Sequence, residues 1–310
     1  MTAFAFVFPG QGSQAQGMGK EFFREFALAR QCFEEAGDAL HLNLAQLCFE
    51  GSEAELQLTA NTQPAVLIVS AAAWKVLHAE TGLRPVAAAG HSLGEYSALL
   101  AASALTLPEA AAAVRQRGAF MQDAVPAGEG AMAAILGLTA EALARVCEEA
   151  AQGEVVRPAN YNAPDQIVIS GCAAAVERAS ALAKERGAKR AIPLKVSAPF
   201  HCELMQPAAE RMAEVLRSIS WQKLSSPVIS NVEAKPYPGP EAAADLLLRQ
   251  ITSPVRWVES VQAMAGLQAE MFLEIGPGKV LTGLIRRILP EAKTLNLAVP
   301  ADLQAVQKVR

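Results

Sequence analysis

A serine bounded by glycines follows a short apolar run, and this segment is the clearest candidate for chemistry in the chain. The run at residues 86–89 leads directly into Gly-His-Ser-Leu-Gly at 90–94. The order predicts a strand that turns sharply into a helix with Ser92 at the tip, which is the pattern of a nucleophile elbow. Glycines permit the tight turn, and the first helical amides, beginning with Leu93 N–H, would face an oxygen held near the serine. A glycine-bounded turn with an incidental serine is the alternative.

A serine hydroxyl needs an adjacent base to attack at neutral pH, and histidine is the most frequent one. The chain holds four histidines, at positions 41, 78, 91 and 201. On an elbow His91 should point away from Ser92, while His41 and His78 fall in a polar loop and a helical segment. His201 follows an apolar segment and a turn containing Pro199, a typical position for a catalytic base at a strand end. A hydrogen-bonded structural histidine is the alternative.

Composition excludes several classes of protein. The chain has 310 residues, of which 52% are hydrophobic, and a formal net charge of −4. No apolar run approaches the roughly 20 residues that a membrane span needs, and the N-terminal segment lacks the basic residues of a signal peptide. Five cysteines without a Cys-x-x-Cys pair predict free thiols in a reducing cytoplasm. Mild acidity argues against nucleic acid as a partner, and the scattered histidines predict no metal site.

Short apolar strands alternate with amphipathic or Ala-rich helices along most of the chain, which predicts a parallel α/β sheet. The strand candidates are residues 4–8, 86–89, 228–230, 271–274 and 294–297. The helix candidates include residues 20–36 and 64–81. Residues 128–198 differ, because their pattern predicts the order βαββαβ of a ferredoxin-like unit. We therefore predict an α/β-hydrolase-like large domain, formed by residues 1–127 and 199–310, with this unit inserted at 128–198. The active site should lie in the cleft between them.

The loop after the first strand carries a misleading motif. Gly-Gln-Gly-Ser-Gln-Ala at 10–15 fits the loose dinucleotide fingerprint Gly-x-Gly-x-x-Ala. Further glycines at 17 and 19 prolong the loop, and no acidic residue ends a second strand about 20 residues later. A flexible backbone loop beside the elbow, with amides that complete an oxyanion hole, is the better interpretation. We expect no cofactor.

Several motifs occur in one order along nearly the whole chain. Six of them are Phe-Pro-Gly-Gln-Gly-Ser-Gln at 8–14 with Gly-Met-Gly at 17–19, Asn-Thr-Gln-Pro-Ala at 61–65, Gly-His-Ser-Leu-Gly-Glu-Tyr at 90–96, Gln-Arg-Gly at 116–118, Asn-Tyr-Asn-Ala-Pro at 160–164 and Ser-Ala-Pro-Phe-His at 197–201. Gln-Ile-Thr-Ser-Pro-Val-Arg-Trp at 250–257 and Glu-Ile-Gly-Pro-Gly at 274–278 follow. Together they resemble the malonyl-CoA:acyl carrier protein transacylase family, the loading acyltransferases of type II fatty acid synthesis.

The resemblance implies a role for each part of the reaction. Ser92 would attack the malonyl thioester, and His201 would take its proton and return it to the leaving CoA thiolate. The backbone amides of Gln11 and Leu93 would hold the oxyanion. A backbone carbonyl from the Gln250 segment would steady the base in place of an acid. The implied partners are malonyl-CoA and acyl carrier protein.

Substrate selection is also implied by the resemblance. Arg117 would pair with the free malonyl carboxylate, since its planar fork offers two parallel hydrogen bonds and keeps its charge. Without the resemblance, a solvated charge on a helix face would be the favoured interpretation of this arginine. Gln63 and Asn160 are further pocket candidates. In related acyltransferases, a phenylalanine before the base and a branched aliphatic residue after the serine occur together with a preference for malonyl over methylmalonyl groups. Phe200 and Leu93 are the corresponding residues of this chain.

Two other functions remain open from the residues. A serine hydrolase of the α/β-hydrolase type would need an acid between the serine and the histidine, for which Asp123 and Asp165 are available. A non-catalytic module that binds acyl carrier protein would form no covalent acyl-enzyme. For an acidic carrier, the pairs Lys189–Arg190 and Arg286–Arg287 are candidate docking sites, with ordinary solvated charges as the alternative.

Overall fold

Two β-sheets organise the protein, which is described here by a computed structural model covering residues 2–196 and 198–310. Met1 and Ser197, the first residue of the motif at 197–201, lie outside the described residues. The strands are β1 Phe4–Phe8, β2 Ala87–Gly90, β3 Gly130–Leu136, β4 Val156–Ala163, β5 Gln166–Cys172, β6 Arg190–Pro193, β7 Val228–Ile229, β8 Met271–Ile275 and β9 Lys293–Leu297.

Helices surround both sheets. They are α1 Lys20–Glu25, α2 Ala27–Leu40, α3 Leu44–Glu50, α4 Glu53–Gln57, α5 Thr59–Thr81, α6 Gly94–Ala101, α7 Leu107–Asp123, α8 Ala140–Ala151, α9 Ala173–Glu185, α10 Gln206–Ser218, α11 Ala243–Thr252, α12 Trp257–Gly266, α13 Val280–Ile288 and α14 Leu303–Val309.

The larger sheet is parallel and has the strand order β7-β2-β1-β8-β9. Side chains of β1 alternate between its two faces, as the period of a strand requires. Phe4, Phe6 and Phe8 pack into one helical layer, whereas Ala5 and Val7 pack against a second layer that includes α12 and α13. Both faces are therefore covered, and the predicted α/β architecture with a parallel sheet is confirmed.

The smaller sheet is antiparallel, with the order β4-β5-β3-β6. Its elements follow one another as β3, α8, β4, β5, α9 and β6, which is the βαββαβ order predicted from the sequence. One face packs on α8 and α9 through a core of its own, to which Ile135, Ile169, Leu143 and Val176 belong.

Strand β4 ties the two sheets together. Asn160 forms a parallel bridge with Val255, just before α12. Tyr161 N donates to Val255 O at 2.9 Å, and Val255 N donates to Ala159 O at 2.9 Å. His91, on the elbow, adds a side-chain hydrogen bond to Asn162 of β4 at 2.8 Å. The smaller sheet is thus attached beside the elbow.

Two helices differ from the sequence expectation. The single helix expected over 20–36 is interrupted by Phe26, whose extended backbone (φ −117°, ψ 122°) separates α1 from α2. Helix α5 begins at Thr59 rather than at Pro64. Proline removes the bond to the carbonyl four residues earlier, and the Arg115 side chain donates to that carbonyl, Ala60 O, at 2.6 Å. The helix therefore continues through the proline.

Candidate active site

The Gly-His-Ser-Leu-Gly segment forms a sharp turn between β2 and α6. Ser92, at its tip, has a left-handed backbone with φ 53°. A Cβ atom on Gly90 would lie 1.8 Å from the carbonyl carbon of Gly94. A Cβ atom on Gly94 would lie 2.2 Å from Phe8 O of the neighbouring strand. Only glycine fits at both positions, so the serine is presented at the carboxyl edge of the parallel sheet.

His201 lies within hydrogen-bond distance of Ser92. Ser92 Oγ is 2.7 Å from His201 Nε2, and His201 Nδ1 is 2.8 Å from Gln250 O. A carbonyl oxygen only accepts, so Nδ1 carries the proton and Nε2 offers its lone pair to the serine hydroxyl. Burial, together with the nearby charge of Arg117, lowers the pKa of His201 to about 3. The histidine is therefore neutral and hydrogen-bonded to the serine, as a base for serine activation would have to be.

Arg117 projects from α7 into the same cluster and is 1% exposed. Its Nη2 donates to Ser92 Oγ at 3.1 Å and to Gln250 Oε1 at 2.8 Å. Its Nη1 donates to Gln63 Oε1 at 2.9 Å, and the buried Nε has no partner among the described residues. The alternative of a solvated charge on the helix face is wrong. The arrangement offers a fixed guanidinium beside the serine to an incoming carboxylate.

The loop after β1 lies against the elbow. A Cβ atom on Gly10 would lie 2.3 Å from His91 O, and His91 N donates to Phe8 O at 3.0 Å. The backbone amides of Gln11 and Leu93 donate no hydrogen bond to another group in residues 2–196 and 198–310. An amide that has no protein acceptor is able to bind a developing oxyanion, so these two amides are candidates for an oxyanion hole.

Not every predicted site residue joins the cluster. Gln63 and Gln250 contact Arg117 directly. Asn160 is buried at the bridge between β4 and Val255, and within the described part of the chain its side chain forms no hydrogen bond with Ser92, His201 or Arg117. Phe200 is buried next to the histidine in sequence.

The remaining histidines lie apart from the serine hydroxyl. His91 points away from it, with Nε2 on Asn162 and its ring 5.6 Å from that of Trp257. Burial lowers its pKa. His78 Nδ1 lies 3.3 Å from Leu83 O, and His41 ends α2 in a left-handed conformation.

Two residues of the site, Asn231 and Glu95, were not predicted from the sequence. Asn231 accepts from Ser92 N and donates to Gly90 O, both at 2.7 Å, so it holds the strained turn. The buried Glu95 carboxylate accepts from Gln250 Nε2 at 2.6 Å, from Asn231 N at 3.1 Å and from Tyr237 Oη at 2.5 Å. Two signals could have found them: a charged residue inside the apolar helix α6, and an asparagine just after β7 at the carboxyl edge.

The described residues contain neither a membrane-spanning helix nor a cluster of metal ligands. No helix there is both long and apolar enough to cross a membrane. No group of three or more histidine, cysteine, aspartate or glutamate side chains in that part of the chain is arranged to hold a metal ion.

The geometry agrees with the likeness of this chain to known proteins. Residues 5–302 match the acyl transferase domain family. The chain is 50% identical to malonyl CoA-acyl carrier protein transacylase of Bacillus subtilis (strain 168), covering 100% of this chain and 98% of that protein. It is 47% identical to the protein of the same name from Escherichia coli (strain K12), covering 98% and 99%.

Solved structures give the same result. The malonyl CoA-acyl carrier protein transacylase of Coxiella burnetii matches with a TM-score of 0.97 at 43% identity, over 99% of this chain and 97% of that one. A malonyl-transacylase in complex with a type II PKS acyl-carrier protein matches with a TM-score of 0.97 at 45% identity, over 100% of both chains. This chain is therefore an acyltransferase of the acyl transferase domain family, among the relatives named malonyl CoA-acyl carrier protein transacylase.

Proposed function

We propose that this acyltransferase moves the malonyl group of malonyl-CoA to the phosphopantetheine thiol of acyl carrier protein through a malonyl-serine intermediate. The observation that carries the proposal is the position of Ser92 Oγ, 2.7 Å from His201 Nε2 and 3.1 Å from Arg117 Nη2. A nucleophile, a base and a carboxylate receptor thus share one buried cluster. The names of the relatives supply the acyl donor and the carrier.

The first half-reaction forms the acyl-enzyme. Ser92 Oγ attacks the thioester carbonyl carbon while its proton passes to His201 Nε2. The negative charge that develops on the carbonyl oxygen is held by the amides of Gln11 and Leu93. When the tetrahedral intermediate collapses, the carbon–sulfur bond breaks and His201 gives its proton to the CoA thiolate.

The second half-reaction repeats these steps with another nucleophile. His201 takes the proton of the carrier thiol, and the sulfur attacks the malonyl-serine ester. The oxyanion forms at the same amides, and the ester carbon–oxygen bond breaks as Ser92 recovers its proton. The sequence is ping-pong, because CoA leaves before the carrier reacts. It needs neither a metal ion nor an organic cofactor, and neither nucleic acid nor a membrane takes part.

Arg117 selects the acyl group in this scheme. Its guanidinium would bind the free malonyl carboxylate through two hydrogen bonds. Gln63 and Gln250 fix the side chain from the other side, so less rotamer entropy is lost on binding. We assign Phe200 and Leu93 the role of excluding bulk at the α-carbon, which is worth about 1–3 kcal/mol in apolar sites. Asn160 remains a weaker candidate for the pocket wall.

We also propose that the chain is divided into two domains. We assign residues 1–127 and 199–310 to an α/β-hydrolase-like large domain and residues 128–198 to an inserted ferredoxin-like subdomain. The strand orders of the two sheets support this division. A cytoplasmic location is supported by the five cysteines, which are all free thiols.

A serine hydrolase is less well supported. The two candidate acids lie elsewhere, since Asp123 pairs with Arg211 and Asp165 with Arg287. Gln250 O occupies the position beside His201 Nδ1 that an acid would need. All four candidate docking residues are exposed. Arg287 pairs with Asp165 and Arg286 donates to Thr294, which leaves Lys189 and Arg190 as the pair without a side-chain partner among the described residues.

Labelled malonyl-CoA tests the proposal directly. We expect one malonyl group on the Ser92 peptide by mass spectrometry, no label in Ser92→Ala, and transfer of the label when acyl carrier protein is added. Release of the label to water without transfer would support a hydrolase. Absence of any covalent label would support a module that only binds the carrier.

A further inference from the structure

Glu95 is the most deeply buried charged side chain close to the serine, and the proposed reaction gives it no step. It is 0% exposed, on the first turn of α6. Its two oxygens receive three donors: Tyr237 Oη on Oε1, and Gln250 Nε2 and Asn231 N on Oε2. Burial raises the pKa of this carboxyl to about 7, although these three donors act to lower it. A group kept at this electrostatic cost needs an explanation.

Gln250 links this carboxylate to every reacting group of the proposed mechanism. Its side-chain amide donates to Glu95 Oε2 at 2.6 Å and to Ser92 O at 3.0 Å. Its amide oxygen accepts from Arg117 Nη2 at 2.8 Å, and its backbone carbonyl accepts from His201 Nδ1 at 2.8 Å. An amide side chain can flip end for end, and its oxygen and nitrogen then exchange places.

Glu95 removes that ambiguity. A carboxylate only accepts, so the Gln250 end that faces it must be the NH2 group. The amide oxygen is then directed at Arg117, which only donates. With the opposite orientation, an oxygen would face the carboxylate and an NH2 group would face the guanidinium, and both contacts would be repulsive.

Asn231 gives Glu95 a second connection to the elbow. Its backbone amide donates to Glu95 Oε2, while its side chain binds both Ser92 N and Gly90 O. The same carboxylate oxygen therefore fixes both Gln250 and the residue that holds the serine in its left-handed conformation.

We propose that Glu95 is a positioning residue that sets the orientation of the Gln250 amide, and through it the places of Arg117 and Ser92, for acyl transfer. The proposal rests on the proposed function. It requires an acceptor oxygen at this position, whereas a negative charge is not essential.

Two variants separate these requirements. Glu95→Gln keeps one acceptor for Gln250 and Asn231, and its NH2 group can face Tyr237, whose hydroxyl can turn to accept. Glu95→Met has a similar size and offers no acceptor. We expect single-turnover acylation of Ser92 by malonyl-CoA to be slower in the methionine variant than in the glutamine variant by about 10-fold or more, the scale of a lost hydrogen bond to a buried group. Equal rates in the two variants would overturn the proposal.

Glu274 supplies a matched control for burial. It is also 0% exposed, and it accepts from the backbone amides of Leu281 and Thr282 at the start of α13. Within the described residues it forms no hydrogen bond with the side chains around Ser92. Glu274→Met should lower thermal stability while the acylation rate per folded molecule stays close to that of the wild type. If it slowed acylation as much as Glu95→Met, general loss of packing would explain both, and the proposal would fail.

A double-substitution cycle identifies the route of the effect. If Glu95 acts through the Gln250 side chain, Glu95→Met should cost much less in a Gln250→Ala background than in the wild type. Full additivity of the two effects would contradict the proposal.

A sulfonyl fluoride that modifies reactive serines provides a readout independent of the acyl donor. Its rate with Ser92 should follow the same order, with the wild type and Glu95→Gln above Glu95→Met. If malonyl-CoA failed to label even the wild type, the proposed function would be wrong, and the sulfonyl fluoride rates would still decide the role of Glu95.

Discussion

At the scale of the residue, the site is a set of matched donors and acceptors buried around one hydroxyl. Ser92 Oγ donates to His201 and accepts from Arg117, and each of these partners is held in turn by Gln250. Buried polar groups are costly unless paired, so such a cluster tolerates little change in any member. The single unpaired atom among these side chains in the described structure is Arg117 Nε.

The selectivity for a carboxylate-bearing acyl group should depend on Arg117. Arg117→Ala removes the hydrogen bonds and the charge, each hydrogen bond to a charged group being worth about 1.5–3 kcal/mol. kcat/KM should fall for both donors, because Arg117 also contacts Ser92 and Gln250. It should fall much further for malonyl-CoA than for acetyl-CoA, which lacks the carboxylate, so their ratio should collapse or invert. Arg117→Lys should restore it only in part, because an ammonium cannot form the fork. A malonyl preference that survives in Arg117→Ala would assign the carboxylate to another residue.

His201 and His91 should contribute very differently to the chemistry. His201→Ala removes the base and should slow acylation of Ser92 by roughly 100-fold or more. His91→Ala removes a contact to Asn162 on the far side of the elbow, so its effect on the chemical step should be much smaller. Both rates are measured per folded molecule by single turnover. Equal losses in the two variants would show that the base is assigned wrongly.

The low pKa of His201 has a consequence for the pH profile. An ordinary histidine near pKa 6.5 would protonate and lose its lone pair as the pH falls through that value. Burial and the charge of Arg117 hold the pKa of His201 lower, at about 3, so the neutral base persists. We therefore expect that protonation of His201 causes no fall in the acylation rate between pH 8 and 5.5. Because the pKa of Glu95 is raised to about 7, the profile is measured in Glu95→Gln as well. A limb near pH 6.5 that remains in that variant would contradict a neutral His201.

How much of the site could be predicted depended on how local its signals were. The elbow, the serine and the loop after β1 are encoded within short stretches, and His201 was found from its place after an apolar segment and a turn. The resemblance to a family supplied Arg117 and Gln250. Glu95 and Asn231 were missed because their contacts join residues 136 positions apart. The presence of a glutamate at position 95 does not by itself indicate which distant residues form hydrogen bonds with it.

At the scale of the element, the elbow depends on contacts that leave no room for a side chain. Helix α6 starts directly against the ends of β1 and β2, and the resulting left-handed serine backbone is an uncommon conformation for a residue other than glycine. Such strain persists only where the surroundings enforce it, and Asn231 does so through the Ser92 and Gly90 backbones.

Gly94→Ala should therefore disrupt the site. Its Cβ would meet Phe8 O at 2.2 Å, so α6 or β1 must shift. We expect a loss of stability of about 1–3 kcal/mol, the range for overpacking, together with slower labelling of Ser92. Gly283→Ala is the control, since nothing lies within 4 Å of its Cβ position in α13. It should stabilise the protein slightly because alanine favours the helix. Equal denaturation midpoints for the two variants would refute the steric explanation.

The elements themselves were predictable where one pattern dominated. The alternation in β1 and the βαββαβ order at residues 130–193 both follow from local periodicity. The break at Phe26 was not visible, because nothing in the local pattern opposes a continuous helix there. The start of α5 was missed because the Arg115 side chain, 55 residues away, satisfies the carbonyl that Pro64 leaves free.

At the scale of the whole molecule, the smaller sheet meets the larger one along β4, while its other edge, β6, is largely exposed. The segments that enter and leave it pass close together, since a Cβ atom on Gly130 would lie 2.4 Å from the Pro199 ring. Met132, Ala134 and Val168 of the smaller sheet belong to the same buried cluster as the phenylalanines of β1, so this unit is attached through one face as well as through β4.

Limited proteolysis tests the division at 128–198. Residues 127–129 are exposed, whereas Ala198 and Pro199 are buried. The first cuts should therefore fall near 127–129 and, with trypsin, after the exposed Lys189, Arg190 or Lys195. The cores of the two sheets should stay intact at that stage. Initial cleavage within α5 or the parallel strands would argue against a separate small unit.

The strand order also determines when the protein can become complete during synthesis on the ribosome. Strand β1 lies between β2 and β8, so one edge of the first strand waits for residues 271–275 to leave the exit tunnel. Until then the nascent chain carries an open, apolar edge, which is a template for aggregation. Ser92 and Arg117 emerge long before His201 and Gln250, so the proposed nucleophile stays without its proposed base until about two thirds of the chain has been made. A fragment ending before His201 should therefore be both inactive and dependent on chaperones.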